Sequence, residues 1–268
     1  ILGRKAQYKN HYDPTLLYPI SRSLNREKRQ FSSSIPFSYG YDTWNAYELS
    51  WLNNKGKPEV AIGRFIFPYN SDNLIESKSL KLYLNSFNNS RFSSMKEVED
   101  TIAEDLSQAA CAHVFVELLS VEQYQVHHAN FKNAKLLDHQ DIDIDCYTAN
   151  TDFLLVGSES VTDYAVYSHL LKSNCLVTHQ PDWATVCITY SGMRIDESGL
   201  LKYIVSLRND NEFHEDCVEH IFNDVMMCCH PTALTVSARY TRRGGLDINP
   251  IRSTDNIKAL DYARTSRQ

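Results

Sequence analysis

Cys175 and Asp182 are the residues of this chain whose types and spacing best suit covalent chemistry. They lie seven residues apart, with Pro181 between them. A cysteine attacks as its thiolate, and a nearby carboxylic acid can protonate the atom on which negative charge develops. On a regular strand the two side chains would point to opposite faces, but Pro181 interrupts the ladder and allows a bend that brings them together. The alternative is a buried packing cysteine and a turn aspartate.

His214 and Glu215 form a second candidate group. A carboxylate can accept two hydrogen bonds from the ring N–H and the amino group of a guanine-like heterocycle. The pair therefore predicts a purine-like ligand. The alternative is helix capping, because Glu215 and Asp216 open a predicted helix and face its dipole favourably.

Ser77 and Lys78 begin another predicted helix, with Lys81 one turn later. A helix N-terminus with ammonium groups beside it is suited to phosphate. A solvated helix face explains the same residues equally well.

The segment Glu76–Tyr83 returns in weakened form as Glu197–Tyr203, which predicts two copies of one folding unit. Matching Glu76 with Glu197 places Gly199 opposite Lys78, and places His214-Glu215 opposite a pair of serines in the first copy. The lysines would then belong to copy one, and the histidine and carboxylate to copy two.

Each copy is predicted to have the element order β-β-α-α-β-β, an α+β fold with an antiparallel sheet and helices on one side. The expected domains are an extension over residues 1–43, a first unit over 44–150 and a second unit over 151–268. The predicted strands of the first unit are 46–53, 58–68, 114–121 and the alternating segment 141–145, with helices over 77–87 and 95–110. Those of the second unit are 175–190, 234–241 and 246–251, with helices over 198–209 and 216–229.

Composition is that of an ordinary globular protein, with 268 residues, 43% of them hydrophobic and 22% charged. No apolar run approaches the roughly 20 residues of a membrane span, and we expect a cytoplasmic protein. The seven cysteines at irregular spacing indicate reduced thiols. The net charge of −6 argues against direct nucleic-acid binding.

The segment Glu76–Tyr83 closely resembles the signature of the QueF family, the NADPH-dependent 7-cyano-7-deazaguanine reductases of queuosine biosynthesis. The order of motifs resembles the longer, two-unit form of that family, and the resemblance extends from about Tyr12 to Pro250. It implies the tunnelling fold (T-fold), in which tandem β-β-α-α-β-β units associate edge to edge into barrels.

The resemblance also implies roles for the candidate residues. Cys175 would add to the substrate nitrile as a covalent thioimide, and Asp182 would supply protons. The deazaguanine ring would be held by Ile75, Glu76, Ser77, His214 and Glu215. NADPH, two per substrate, would be bound by Ser77, Lys78, Arg243 and Gly244, and no metal would be required.

Two other functions compete with this one. Cys175, His179, His214 and Cys217 could form a zinc site, which would indicate a metal-dependent purine or pterin cyclohydrolase. A non-catalytic module for modified bases or tRNA is the third possibility. The open sheet edges of such units predict a homodimer. The sequence does not decide whether Cys175 and Cys217 form a reversible disulfide.

Overall fold

A computed structural model of the chain describes residues 9–28, 35–257 and 260–268. The chain forms two compact units. The first contains residues up to Leu24, Thr43–Gln125 and Arg243–Leu246, and the second contains Asn25–Asp42, Val126–Arg242 and Asp247–Gln268. The described parts of the predicted extension 1–43 fall in both units, and residues 126–150 group with the second unit.

The first unit contains two helices and most of five strands. In chain order, with α1 (Ser23–Lys28) at its border and a 3-10 turn at Pro14–Leu16, they are β1 (Pro19–Ser21), β2 (Tyr39–Leu52), β3 (Pro58–Pro68), β4 (Asn73–Ile75), α2 (Ser77–Ser86) with a 3-10 turn at Phe87–Asn89, α3 (Met95–Ala110) and β5 (Phe115–Leu119). The strand order is β5-β3-β2, and β1 pairs with β4 in a separate antiparallel ribbon. β3 and β5 are antiparallel.

The second unit contains the remaining elements. They are β6 (Ala134–Leu136), a 3-10 turn at Thr151–Phe153, β7 (Val156–Cys175), β8 (Pro181–Ile195), α4 (Glu197–Ser206) with a 3-10 turn at Leu207–Asn209, β9 (Asn211–Glu212), α5 (His214–Cys229), β10 (Ala233–Tyr240) and β11 (Leu246–Ser253). The strand order is β11-β10-β8-β7-β6, with β9 also beside β7. Pairing is antiparallel except where β6 and β9 meet β7.

The predicted α+β class is confirmed. In the second unit the order is β7-β8-α4-β9-α5-β10-β11, so the two-residue strand β9 and the part of β7 before Cys175 are not predicted from the sequence. The strand predicted at 141–145 is wrong, because these residues belong to no helix or strand. Ile142 and Ile144 are only half-buried there, so the alternation of isoleucine with aspartate does not place one face of a strand against the core. None of the helices in the described ranges has the length and apolar character that a membrane span requires.

The helices form where the apolar periodicity placed them. In α3 the side chains of Val98, Ile102 and Leu106 are fully buried along one face. The Ser94 hydroxyl accepts from the N–H of Glu97 at the start of this helix. The helix ends at Cys111, whose φ of 52° is left-handed.

The N-caps of α2 and α4 change the register of the predicted repeat in its first helix by one residue. Glu76 caps α2, and Asp196, not Glu197, caps α4. The N-cap fixes where a helix begins, so it identifies equivalent positions better than the recurring Glu-Ser pair does. Lys78 therefore corresponds to Ser198 and not to Gly199.

The second helices correspond through a shared tyrosine–aspartate hydrogen bond. Tyr83 donates to Asp105 at 2.5 Å, and Tyr203 donates to Asp224 at 2.7 Å. Both helices have 16 residues and end at a left-handed residue. His214 and Glu215 therefore open α5 as Met95 and Lys96 open α3, and do not occupy the positions of Ser93 and Ser94.

Candidate active site

Cys175 and Asp182 lie on the same face of the hairpin formed by β7 and β8. Cys175 ends β7, and its N–H donates to the carbonyl of Gln180 at 2.9 Å. Asp182 is the cross-strand partner of Ser173, which precedes Cys175 by two residues and shares its face. The turn between the strands, and not a bend at Pro181, brings the two side chains to one face. Both are buried, with Cys175 8% and Asp182 2% exposed.

His214 and Tyr240 surround the carboxyl group of Asp182. His214 Nε2 lies 3.8 Å from Asp182 Oδ1, which is too long for a hydrogen bond. The ring of Tyr240 meets the imidazole edge to face, with centroids 4.2 Å apart. Burial, Cys217 and Asp182 raise the pKa of Tyr240 far above its ordinary value. Asp182 therefore has a titratable imidazole and a neutral phenol as neighbours.

Glu215 is a buried carboxylate in the first turn of α5. Its side chain is 2% exposed, and the N-cap residue Phe213 makes no side-chain capping bond. The first turn is also where a negative charge gains from the helix dipole. The position thus suits both predicted uses of Glu215, a ligand-binding carboxylate and a helix-stabilising one.

Ile75, Glu76 and Ser77 lie at the junction of β4 and α2 in the first unit. Ile75 is buried, while Glu76 and Ser77 are half-buried. The Glu76 carboxylate accepts from the N–H groups of Lys78 at 2.9 Å and Ser79 at 2.7 Å. Glu76 therefore caps its own helix, and its oxygens retain further lone pairs for a ligand.

The cofactor candidates of the first unit include a tight turn that closes on α2. Arg243 and Leu246 exchange backbone hydrogen bonds, and the two glycines between them both have left-handed φ, 54° at Gly244 and 74° at Gly245. A Cβ at Gly244 would lie 3.2 Å from Lys81 Cδ. The structure thus brings the turn to Lys81, one helical turn from Lys78.

The structure does not gather the four side chains of the alternative zinc site, Cys175, His179, His214 and Cys217. Among the described residues, the side chains whose ligand atoms lie close enough together for a metal belong to a different cluster. The Nδ1 atom of His179 instead lies 3.1 Å from Asn211 Oδ1. Cys217 is buried on α5 at 1% exposure.

Sequence reasoning missed Ser173 and Tyr240 as neighbours of the candidate catalytic pair. Ser173 would follow from strand alternation once β7 is known to end at Cys175. Tyr240 ends the alternating buried set of β10 and pairs in register with Ala184 of β8. That register is set by long-range pairing, for which the sequence carries no local signal.

Comparison with known proteins gives matches over both units. The family described as "Nitrile reductase, 7-cyano-7-deazaguanine-reductase N-term" matches residues 8–118, and the family described as "QueF-like protein" matches residues 181–259. A solved structure, of the archaeosine synthase QueF-Like in the apo form, is 16% identical with a TM-score of 0.32, and covers 38% of this chain and 99% of that one.

Two relatives are similar to the whole chain. Both are named NADPH-dependent 7-cyano-7-deazaguanine reductase. The protein of Dechloromonas aromatica (strain RCB) is 53% identical over 268 residues, 100% of this chain and 94% of the relative. The protein of Coxiella burnetii (strain CbuK_Q154) is 51% identical over the same 268 residues and 96% of the relative. The resemblance carried by Glu76–Tyr83 is confirmed, and the chain belongs to the QueF family of nitrile reductases.

Proposed function

We propose that this chain is an NADPH-dependent 7-cyano-7-deazaguanine reductase, which converts the nitrile of its substrate to the aminomethyl group in queuosine biosynthesis. The observation that carries this proposal is the identity above 50% with two relatives of that name over the entire chain. The second unit adds Cys175 and Asp182 on one face of a hairpin. The alternative of a metal-dependent cyclohydrolase has no support from these relatives.

Cys175 is the proposed nucleophile. Its sulfur adds to the nitrile carbon while a proton goes to the nitrile nitrogen, which gives a thioimide. This converts a poor hydride acceptor into a C=N group that protonation makes electrophilic. After one hydride has been added, the tetrahedral adduct expels the Cys175 thiolate and leaves an imine. Reduction of the imine gives the amine, so the reaction requires two hydrides.

Asp182 is the proposed proton donor. Its burial at 2% exposure keeps water away from the carboxyl group, and the hairpin fixes it on the face that carries Cys175. The imidazole of His214 is its neighbour, with Nε2 3.8 Å from Oδ1.

The deazaguanine ring is assigned to Glu215 with His214, assisted by Ile75, Glu76 and Ser77. A buried carboxylate pairs well with the ring N–H and exocyclic amino group of the substrate. Because the ring is bound through groups other than Cys175, the substrate can stay in place between the two reduction steps.

The first unit offers residues that fit a dinucleotide phosphate. They are Ser77 and Lys78 at the N-terminus of α2, with Lys81 nearby and Arg243 and Gly244 in the turn that meets Lys81. NADPH, when bound, supplies the hydrides. The left-handed Gly244 leaves free the space that a Cβ would fill beside Lys81. We also propose the T-fold and its tandem units. The support is the family membership and the order of the second unit, which is β-β-α-α-β-β apart from the two-residue strand β9.

Mass spectrometry tests the covalent step. The protein is incubated with 7-cyano-7-deazaguanine in the absence of NADPH. We expect the peptide containing Cys175 to gain the mass of the nitrile, and Cys175→Ala to give neither adduct nor reduction. Cys111→Ala, at an exposed cysteine, is the matched control and should react like the unchanged protein. Full turnover with an unmodified Cys175 would rule out the thioimide.

A further inference from the structure

A cluster around His220 lies beside the candidate active site and is not used by the proposed reaction. The ligand atoms of Asp210, Glu212 and His220 all lie within 4.8 Å of one another. Asp210 directly precedes the short strand β9, and Glu212 is the last residue of that strand. His220 lies in the second turn of α5. The donor set is two carboxylates and one imidazole.

His220 is oriented as a metal ligand would be. It is 8% exposed, and its Nδ1 atom lies 3.2 Å from Glu212 Oε1 yet makes no hydrogen bond with any described residue. Two donor atoms about 3 Å apart at an angle that excludes a hydrogen bond are placed as neighbouring ligands of one small cation are, since each metal–ligand bond is about 2 Å long.

The second ring nitrogen of His220, Nε2, has the hydrogen-bond acceptor that metal-binding histidines usually have. His220 Nε2 lies 3.1 Å from Asp224 Oδ2, where the ring N–H can donate to the carboxylate. Tyr203 in turn donates to the same Oδ2 at 2.7 Å and holds Asp224 in place. With the proton on Nε2, the lone pair of Nδ1 faces Glu212 and Asp210. A carboxylate that accepts from Nε2 fixes this tautomer and makes the histidine a stronger ligand through Nδ1.

The first unit provides an internal comparison. It keeps the tyrosine–aspartate pair as Tyr83 and Asp105, so the second helix is anchored in the same way. By the register of α3 and α5, the position of His220 is occupied by Thr101, whose hydroxyl donates to the carbonyl of Glu97. The fold of a unit therefore does not require the His220 cluster, which among the described residues belongs to the unit that carries Cys175.

We propose that Asp210, Glu212 and His220 bind one divalent transition-metal ion, with Asp224 and Tyr203 as the supporting shell. Imidazole with carboxylates suits Zn²⁺ and its analogue Co²⁺ better than Mg²⁺ or Ca²⁺, which prefer oxygen ligands throughout. The role is structural. Glu212 is the register partner of Cys175 in the pairing of β9 with β7, so a metal that ties β9 to α5 would hold the end of β7.

Metal titration of the full chain, after chelation and dialysis, tests this site without any activity measurement. Co²⁺ binding is followed by visible absorption, and Zn²⁺ binding by competition and by the rise in melting temperature. We expect one ion per chain, with the weak bands of an oxygen–nitrogen site and no intense thiolate-to-cobalt band. Mg²⁺ and Ca²⁺ should compete poorly.

Variants decide between this site and an ion pair of a protonated His220 with its carboxylates. His220→Gln and the half-buried Asp210→Asn should each weaken Co²⁺ binding at least tenfold, and Asp224→Asn by about 10- to 100-fold. His139→Gln, at an exposed histidine of the same unit, should leave binding unchanged. No saturable binding to the folded chain, or binding that survives in both His220→Gln and Asp210→Asn, would overturn the proposal. A thiolate band lost in Cys175→Ala would overturn it equally.

Discussion

Asp182 is the residue on which the acid–base part of the proposed chemistry depends. It is almost fully buried, it shares a face with Cys175, and the imidazole of His214 lies 3.8 Å away. A buried carboxyl group beside a histidine can exchange its proton without contact with bulk water. The sulfur of Cys175 can form a bond with carbon, but it cannot by itself deliver the protons that each reduction step requires.

Asp182→Asn therefore separates binding from proton delivery. The amide keeps the size of the side chain but cannot donate an acidic proton, so we expect the nitrile to bind while kcat falls by about 10²- to 10⁴-fold. Substrate binding by calorimetry and turnover by NADPH consumption measure the two effects. A turnover within a few-fold of the unchanged protein would mean that another group donates the proton.

Lys78 and Arg243 are expected to contribute to NADPH binding and not to adduct formation at Cys175. Lys78→Ala and Arg243→Ala remove cations from the first unit while leaving the Cys175 hairpin of the second unit intact. We predict a higher KM for NADPH, by about tenfold for each, and undiminished adduct formation at Cys175. Lys55→Ala, in the turn between β2 and β3, is the matched lysine control. Loss of the adduct in a folded Lys78→Ala or Arg243→Ala protein would show that the assignment to NADPH is wrong.

At the scale of the elements, the turn between β10 and β11 depends on its glycines. Gly245 has a left-handed φ of 74°, and a Cβ there would lie 2.5 Å from Glu48 Cδ. We expect Gly245→Ala to lower the free energy of unfolding by about 1–2 kcal/mol and to raise the KM for NADPH, because Gly244 and Arg243 would move with the turn.

Urea unfolding checks this expectation. Gly157→Ala is the matched control, since a Cβ there meets only the carbonyl oxygen of Arg194 at 3.6 Å. If Gly245→Ala were as stable as Gly157→Ala and bound NADPH normally, the turn would not need its left-handed geometry.

The elements that the sequence predicts well are those whose signals are local. The apolar spacing of α3 and the turn before Pro58 each depend on a few neighbouring residues, and both elements form as expected. The sequence does not predict most of β7, because the first half of this strand is polar and exposed and a register shift between Ser168 and Leu171 breaks the alternation in its second half. The strand predicted at 141–145 is wrong for the opposite reason, since the segment has the alternation but pairs with no strand among the described residues.

The candidate site follows the same rule. Cys175, Asp182 and Glu215 were predicted from residue type and the family resemblance. The way in which Cys175 and Asp182 reach one face was not predicted, because cross-strand register in the β7–β8 hairpin decides it. The one-residue correction of the repeat, from Gly199 to Ser198 opposite Lys78, likewise needed the observed helix caps.

At the scale of the whole molecule, the edges of the sheets bear on assembly. Among the described strands, β5 pairs only with β3, and it exposes Phe115 at 48%. An open edge with an exposed aromatic residue favours pairing with another chain. We predict a homodimer, because two-fold association is the commonest closed solution.

Light scattering of an active sample at micromolar concentration measures this state. We expect about twice the chain mass of 30.8 kDa. A single-chain mass in a sample that turns over would contradict the dimer.

The two units divide the proposed reaction, with the nucleophile, the acid and Glu215 on the second and the phosphate-binding residues on the first. The measurement that tests the function of the whole chain most directly is the fall in NADPH absorbance on addition of 7-cyano-7-deazaguanine, with the product identified by mass. We predict that NADPH is consumed, with two molecules oxidised for each nitrile converted to the aminomethyl product, and that Cys175→Ala consumes none. A folded protein that leaves both NADPH and nitrile unchanged would contradict the assignment as a nitrile reductase.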